Sequence, residues 1–246
     1  MSSPVNPAME SFIIVILGAL LVMGLSRLLD HVWAHTLRYP SLYLLVSAPG
    51  VIVHECSHVI GCILTGAKIR KVVLLSKKGG MVSYTPPAIP VLGNVIISTA
   101  PLFILPLVLA ALTWFFGTYA GCSFTSFMPS LDSVVSLYPL VEGIGLTLYQ
   151  NLVVAFNIWF LLYLYLVTSL ALSFSPSTQD LKNAVAGFVI LIIAGFCLLA
   201  ANISAVTNGF LTILGLLGTG LAIGLAFGLI ALIVSLPAFL FYRRTP

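Results

Sequence analysis

The sequence predicts an all-α polytopic membrane protein with about six transmembrane helices and a short cytoplasmic-side β-hairpin between the second and the third. Of its 246 residues, 60% are hydrophobic and only 7% are charged, whereas a soluble domain carries roughly 25% charged residues. The apolar residues are gathered into runs of about the 20 residues that a membrane-crossing helix needs. Between the second and third runs, a basic segment with β-prone stretches and two glycines predicts strands and a turn.

The apolar runs organise the chain as a single membrane-embedded domain, residues 1–246. Pro101 and Pro106 predict an interruption of the third span, because proline removes a helical hydrogen bond. The fourth run is predicted as one continuous span. The predicted spans are, approximately, 11–29, 41–66, 91–116, 144–173, 183–201 and 209–242.

The last apolar run, residues 209–242, is longer than the ~20 residues of one span. It is predicted either as one tilted helix or as a helix that breaks at Pro237. Gly220, Gly224 and Gly228 recur at the small-xxx-small spacing that allows close helix packing. They predict a packing face, although glycine is also frequent in membrane helices for other reasons.

The polar segment between the second and third runs predicts a β-hairpin. Val72–Leu75 is β-prone, Lys78-Gly79-Gly80 is a turn signal, and Met81–Thr85 is predicted as a second strand. Pro86 and Pro87 end that strand, because proline cannot donate to the ladder.

The basic residues predict how the spans are oriented, because cytoplasmic loops are enriched in Lys and Arg. If the hairpin faces the cytoplasm, six spans place both termini there with eight of the ten basic residues, and only Arg27 and Arg38 lie outside. We therefore expect a multi-pass protein of the cell membrane with both termini cytoplasmic. This bias accounts for the net charge of +4, so the lipid bilayer is an expected partner and nucleic acid is not.

One charged motif, His54-Glu55-Cys56-Ser57-His58, lies inside the second apolar run. An ionised side chain at the centre of a membrane helix costs ~2.5–3.5 kcal/mol, so such residues indicate function. Residues i and i+4 share a helix face, so His54 and His58 can bind one Zn²⁺ per chain, with Glu55 as a general base. The alternative is a pair of core histidines hydrogen-bonded to neighbouring helices beside a neutral Glu55.

A catalytic zinc needs a third protein ligand, and the predicted topology narrows the candidates. His54 lies twelve residues before Gly66, roughly 18 Å from the cytoplasmic end of its helix. Asp180 follows a later span on that side and is the predicted ligand. It also fits a capping box with Ser177, and the two roles compete for one carboxylate. The other candidates are predicted on the outer side: Asp30, His31, His35, Asp132 and Glu142.

Together these residues resemble the site-2 protease family of intramembrane zinc metalloproteases. The similarity rests on His54-Glu55-x-x-His58 within a span, a Gly79-Gly80 strand segment after it, and an aspartate after a later span. Ala100-Pro101-Leu102 is weakly similar to the family's Ala-Gly-Pro-Leu stretch. The segment that ends at Asp180 departs from the family's Asn-Pro-x-Pro-x-x-Asp-Gly pattern.

The resemblance covers residues 41–185, which would form the three-span core of the family. The spans at 11–29 and 186–242 would then be accessory. We expect no regulatory module, because the chain contains no recognisable PDZ or CBS domain.

The resemblance implies an endopeptidase whose substrate is a transmembrane segment of another protein. Zinc would be held by His54, His58 and Asp180, with Glu55 as the general base. An extended substrate would pair with the edge of the second hairpin strand through main-chain hydrogen bonds. The substrate-binding residues implied in this way are Gly80, Met81, Val82, Ser83 and Tyr84. Alternatively, the hairpin only covers the helix ends.

Two other functions use the same residues. A non-catalytic membrane protein could bind zinc and transmembrane helices without cutting them, but such a site has no need for the carboxylate of Glu55. A cation or proton transporter could line its path with the same polar groups. Against a transporter, the last two apolar runs are nearly free of polar residues, and the sequence shows no pair of matching broken helices.

Overall fold

A computed structural model describes residues 7–37, 39–76, 79–124, 137–175, 177–180 and 204–240, with isolated residues between 182 and 197. The described chain is mostly helical, with one two-stranded antiparallel sheet after the second helix, as predicted. The elements in chain order are α1 (Pro7–Thr36), α2 (Pro40–Thr65), β1 (Ile69–Val73), β2 (Met81–Tyr84), α3 (Pro90–Tyr119), α4 (Leu137–Tyr149), α5 (Ile158–Leu172) and α6 (Ser204–Leu240).

Three of the described helices are long and apolar enough to cross a membrane: Phe12–Thr36, Ser41–Thr65 and Pro90–Tyr119. Two shorter apolar helices are Ile158–Leu172 and Leu221–Pro237. These helices are compatible with a membrane protein, but they do not confirm six spans. The predicted fifth span, 183–201, lies almost wholly outside the described residues.

Proline does not interrupt the helices where the sequence predicts breaks. Helix α3 runs continuously through Pro101 and Pro106, and α6 runs through Pro237. The prediction for the third span was therefore wrong, and the last run is one helix over its described length. In a tightly packed helical protein, neighbouring groups can satisfy the carbonyl that a proline leaves without a partner.

The fourth predicted span is not continuous, because two asparagines interrupt it. Helix α4 ends in a π-helical turn, Gln150–Val154, and α5 starts only at Ile158. The side chain of Asn157 caps α5 by accepting a hydrogen bond from the Trp159 N–H, 2.9 Å away. Asn151 exchanges hydrogen bonds of 2.7 and 2.8 Å with the backbone of Ser123.

Helices α1 and α6 run side by side in the same direction. A Cβ at Gly218 would lie 3.6 Å from Val15, one at Gly228 would lie 2.6 Å from Leu25, and Trp33 Nε1 donates to Ser235 Oγ over 2.7 Å. The start of α1 and the end of α6 therefore lie at opposite ends of this helix pair, whereas the sequence analysis expects both termini on one face. The charge count alone could not reveal this, because it assumed that every apolar run crosses.

The largest apolar cluster lies where α3, α5 and α6 meet. Phe160 and Tyr163 of α5 are almost completely buried there, with Leu105 of α3 and Phe227 of α6. The Tyr163 ring stands 5.5 Å from that of Phe160 and 6.1 Å from that of Phe227. This packing fixes α5 against its neighbours.

Helix α2 packs between α3 and α5, and a glycine allows the close approach on each side. A Cβ at Gly61 would lie 2.8 Å from Ile97 Cα of α3. A Cβ at Gly50 would lie 2.0 Å from the carbonyl oxygen of Ser169 in α5. Real Cβ atoms do not approach other atoms so closely, so only glycine fits at these positions.

The hairpin forms as predicted, although β1 starts earlier than the predicted strand. It is antiparallel and pairs Val73 with Met81 and Ile69 with Tyr84. Gly79 adopts φ +94°, which favours glycine, and its N–H donates to Ser76 O over 3.0 Å. Lys77 and Lys78 of the predicted turn lie outside the described residues.

We expect Gly50→Ala to lower the melting temperature of the detergent-solubilised protein. The added methyl group would overlap Ser169, and overpacking typically costs ~1–3 kcal/mol. Gly24→Ala in α1 is the matched control, because its Cβ would meet no atom within 4 Å. The control should be neutral or stabilising by up to about 1 kcal/mol. Equal melting temperatures by circular dichroism for both variants would contradict the close contact of α2 and α5.

Candidate metal centre

The two histidines of the motif lie on one face of α2 and point their rings at a common position. His54 and His58 are both buried, with 8% and 5% of their surfaces exposed. Their Nε2 atoms are 3.1 Å apart. One turn of helix therefore brings two imidazole nitrogens to a single point, as the i, i+4 spacing predicts.

Backbone carbonyl groups of the two neighbouring helices fix the orientation of these rings. His54 Nδ1 lies 2.6 Å from Ser173 O at the end of α5, and His58 Nδ1 lies 2.8 Å from Ile97 O in α3. A carbonyl oxygen can only accept, so each Nδ1 carries the proton and donates it. In the neutral ring the Nε2 lone pair is then free for a metal, which is the usual arrangement of metal-binding histidines.

Both carbonyl groups are available because each lacks a helical partner. The oxygen of Ile97 would normally accept from the residue four positions later, which is Pro101 and has no N–H. The oxygen of Ser173 would accept from Ser177, but the Ser177 N–H donates to Asp180 instead, over 3.0 Å. Neither carbonyl follows from the motif itself, although the position of Pro101 four residues after Ile97 is a signal for one of them in the sequence.

Asp180 lies beside the two histidines, just past the end of α5. Its Oδ2 is 3.5 Å from His58 Nε2 and 3.9 Å from His54 Nε2. The three candidate ligand atoms all lie within 4.8 Å of one another. Burial acts to raise the pKa of the Asp180 carboxyl, but the two imidazoles and Ser177 outweigh it and hold this pKa well below its usual range.

The capping box also forms, so the two roles predicted for Asp180 do not exclude each other. Ser177 donates to Asp180 Oδ2 from its N–H at 3.0 Å and from its Oγ at 2.6 Å. In return, the Asp180 N–H donates to Ser177 Oγ over 3.1 Å. The cap therefore holds the carboxylate in place next to His54 and His58.

These donors fit a zinc ion. Two lone pairs that face each other at 3.1 Å, next to a carboxylate, repel one another unless a proton or a metal cation lies between them. A tetrahedral zinc ion with bonds of about 2.0–2.1 Å holds its ligand atoms about 3.3 Å apart. The distances between His54, His58 and Asp180, from 3.1 to 3.9 Å, are close to this value. Two imidazoles and one carboxylate leave one position open, as in catalytic zinc sites.

Glu55 lies next to this centre and packs against the hairpin. Its side chain is 8% exposed, and a Cβ at Gly80 would lie 2.3 Å from Glu55 Cγ and 2.7 Å from Oε1. No hydrogen bond between its carboxylate and another described residue is formed. A side chain at position 80 would therefore displace Glu55 from its present position, so this glycine of the predicted hairpin belongs to the site.

A cavity of about 290 Å³ opens beside Glu55 and contains residues that the sequence analysis placed elsewhere. Arg27 and Asp30 were predicted on the outer side, away from the motif, but they line the same cavity as His54. Tyr43 also lines it and donates a hydrogen bond from its hydroxyl to Asp30 Oδ1. The predicted first span ends at residue 29, whereas α1 continues to Thr36. The side of the membrane that these residues face stays a prediction. The remaining lining residues are Ser47, Val51, Glu55, Gly80, Leu172, Ser173, Ser175, Ser177 and Thr178.

The predicted substrate strand lies beside the site, with Gly80 directly before it. Val82 and Tyr84 pack against the small apolar cluster of Cys62, Ala67 and Ile97, while Met81 is 49% exposed. In the described sheet, β2 pairs only with β1, so one of its edges has no strand partner. The role of Gly80, Met81, Val82, Ser83 and Tyr84 in substrate binding stays a prediction.

The other acidic and histidine candidates are not brought to this centre. His31 and His35 are exposed near the end of α1, and Glu142 is exposed on α4. Asp132 lies outside the described residues. Within the described part of the chain, the group that could hold a metal ion is His54, His58 and Asp180.

Comparison with known proteins agrees with a zinc peptidase. Residues 47–141 match the model of a family described as "Putative zincin peptidase". The match contains His54, Glu55, His58, the hairpin and α3, and it is shorter than half of the chain. No curated protein and no solved structure shows significant similarity to the chain. Over the matched segment, the chain is thus similar to zinc-dependent metallopeptidases. The match does not single out the site-2 protease family.

Proposed function

We propose that the protein is a zinc-dependent intramembrane endopeptidase that cleaves transmembrane segments of other membrane proteins. The observation that carries the proposal is the convergence of His54, His58 and Asp180 next to Glu55 on α2, whose carboxylate has no hydrogen bond to another described residue. This helix is one of the three that are long and apolar enough to span a membrane. The match of residues 47–141 to a zincin-type family supports the peptidase part of the proposal.

The residues of the chain divide the chemistry between them. His54, His58 and Asp180 would hold one Zn²⁺, which when bound polarises a carbonyl and lowers the pKa of a water molecule. Glu55 accepts the proton of the attacking water, because its carboxylate is free of hydrogen bonds to other described residues and lines the cavity. Glu55 then gives this proton to the leaving amine as the peptide bond breaks. Gly80 holds Glu55 at this place by packing against its side chain.

A transmembrane substrate has to unwind locally, because a helix holds its peptide groups in i to i−4 hydrogen bonds. We propose that the unwound segment pairs with the free edge of β2, as peptides do when they add a strand to a sheet. The strand begins next to Gly80, which contacts Glu55. A peptide on this edge would therefore pass close to the general base.

The hairpin face of the membrane would be cytoplasmic. Lys68, Arg70 and Lys71 are exposed on or next to β1, and basic residues near span ends favour the cytoplasmic side. The proposed location is the cell membrane.

We expect Glu55→Gln to abolish cleavage while zinc stays bound. Glutamine has the same shape but cannot accept the proton, and general-base catalysis contributes typically about 10²–10⁴-fold to the rate. The experiment measures cleavage of a panel of fluorogenic apolar peptides and reconstituted transmembrane segments, with zinc content measured by mass spectrometry. Continued cleavage by the variant would exclude Glu55 as the base. Zinc binding by a wild-type protein that cleaves none of the panel would favour the non-catalytic zinc-binding function.

We expect Asp180→Asn to reduce zinc content well below one ion per chain. Asparagine can keep the hydrogen bonds of the cap, but it removes the anionic ligand. Ser177→Ala is the matched control, because it weakens the cap and leaves the carboxylate. Because the Ser177 N–H can still donate to Asp180, this variant should retain more zinc than Asp180→Asn and lose about 1 kcal/mol of stability. Full zinc content in Asp180→Asn, together with zinc loss in Ser177→Ala, would show that Asp180 serves only as a helix cap. A His54→Ala/His58→Ala double variant gives the metal-free baseline.

We expect Gly80→Ala to slow cleavage without loss of zinc. The new methyl group would overlap Glu55 Cγ at 2.3 Å and displace the base. The three atoms nearest to this methyl group all belong to Glu55, and none belongs to a metal ligand. Lys71→Ala, at an exposed position on β1 of the same hairpin, is the control for general damage to the hairpin. A Gly80→Ala enzyme as fast as the wild type would show that Glu55 does not depend on this contact.

A further inference from the structure

The cavity beside Glu55 has a second charged wall that the proposed chemistry does not use. Arg27 and Asp30 of α1, one helical turn apart, line it together with Tyr43 of α2. All three lie within candidate membrane spans, Phe12–Thr36 and Ser41–Thr65. Charged side chains at such a depth that face a cavity indicate a binding function.

The acidic member of this wall is engaged and the basic member is not. The Tyr43 hydroxyl donates to Asp30 Oδ1. The ion pairs found in the described part of the chain join Asp180 to the two motif histidines, and none involves Arg27. No hydrogen bond from Arg27 to another described side chain or carbonyl is formed either. Its guanidinium is therefore available to a ligand.

The guanidinium of Arg27 cannot easily reach the nearer membrane surface. Thr36, the end of the helix, lies nine residues further on, or about 13 Å at the helical rise of 1.5 Å per residue. Side chains on a helix lean towards its N-terminus, so Arg27 leans away from that end. Arg27 is exposed and lines the open cavity, and an anion bound there would offset the cost of a guanidinium at this depth.

We propose that Arg27 binds a carboxylate of the peptide substrate and so selects substrates that carry a negative charge close to the cleaved bond. This inference rests on the proposed function, because the cavity is where a substrate would meet Glu55. The planar guanidinium fork matches a carboxylate with two parallel hydrogen bonds. The carboxylate can belong to an Asp or Glu side chain or to a free C-terminus. Asp30 has the same charge as this ligand, so it limits the preference.

The test is a binding measurement on the full-length, zinc-loaded Glu55→Gln protein in detergent, which cannot consume its ligand. Three labelled apolar peptides of one sequence are compared by fluorescence polarisation. One carries an internal Glu and an amidated C-terminus, the second has Gln instead and is also amidated, and the third has Gln and a free C-terminal carboxylate. Comparison of the first and third peptides with the second distinguishes the two sources of the carboxylate.

We expect a carboxylate peptide to bind about tenfold more tightly than the neutral amidated one, within the range of a charge-assisted hydrogen bond. Arg27→Gln should abolish this ratio, and Arg27→Lys should restore part of it. Asp30→Asn should increase the ratio. Arg70→Gln is the matched control, because Arg70 lies on β1 outside the cavity and its loss should leave the ratio unchanged.

Equal affinity for all three peptides, no binding of any, or a ratio that survives Arg27→Gln would overturn the inference. The melting temperature and zinc content of Arg27→Gln show whether the variant is folded; if it is not, the wild-type ratio and its increase in Asp30→Asn decide. Cleavage of the same peptides by protein with Glu55 intact tests the proposed function separately. If the peptides are cleaved but bind without a preference for a negative charge, only the role of Arg27 is contradicted. If they bind with that preference but are not cleaved, only the proposed peptidase activity is contradicted.

Discussion

The candidate metal centre depends on two backbone carbonyl groups that have no partner within their own helices. The oxygen of Ile97 is free because Pro101 has no N–H, and the oxygen of Ser173 is free because α5 ends there. Each accepts the Nδ1–H of one histidine, at 2.8 and 2.6 Å, and turns its Nε2 lone pair to the common point. Gly61 and Gly50 allow α3 and α5 to approach α2 closely enough for these bonds. A larger residue at either glycine would disturb packing and ligand orientation together.

Polar groups at membrane depth are costly, and the site limits this cost by satisfying nearly all of them. Both Nδ1 atoms, the Asp180 carboxylate and the Ser177 hydroxyl have partners among the described residues. Glu55 and Arg27 are the described charged groups of the cavity without one, and both line its open space. The division is informative, because a charged group within a candidate membrane span that has no partner among the described residues needs a reason outside the fold, whether it is buried like Glu55 or exposed like Arg27. For Glu55, the proposed reason is that it accepts and releases a proton during the reaction. For Arg27, it is that the guanidinium binds a carboxylate of the substrate.

The local sequence pattern was enough to predict that the helices and the hairpin exist. It also predicted the i, i+4 geometry of the motif, because each of these features depends on residues close together in the sequence. What failed depended on tertiary context. Nothing local distinguishes Pro101, which α3 accommodates, from a helix breaker, or shows that Asn157 caps a new helix inside an apolar run. The position of Arg27 in the cavity was missed for a related reason. The first span is predicted to end at residue 29, whereas α1 continues to Thr36. The approach of α1 to the motif is also a contact between residues far apart in the sequence.

The residues around Asp180 show why the local pattern of a family is not required for such a site. The chain has Ser175-Pro176-Ser177-Thr178-Gln179-Asp180 where the resembled family has a different segment. Three properties of the position suffice physically: a helix end that leaves one carbonyl free for a histidine, a turn, and a carboxylate three residues after a capping serine. Ser173 provides the first, and the capping box of Ser177 and Asp180 provides the third and fixes the carboxylate. The cap therefore serves as the support that holds the third ligand, since a carboxylate tied to its own helix start loses little conformational freedom when it meets a metal ion.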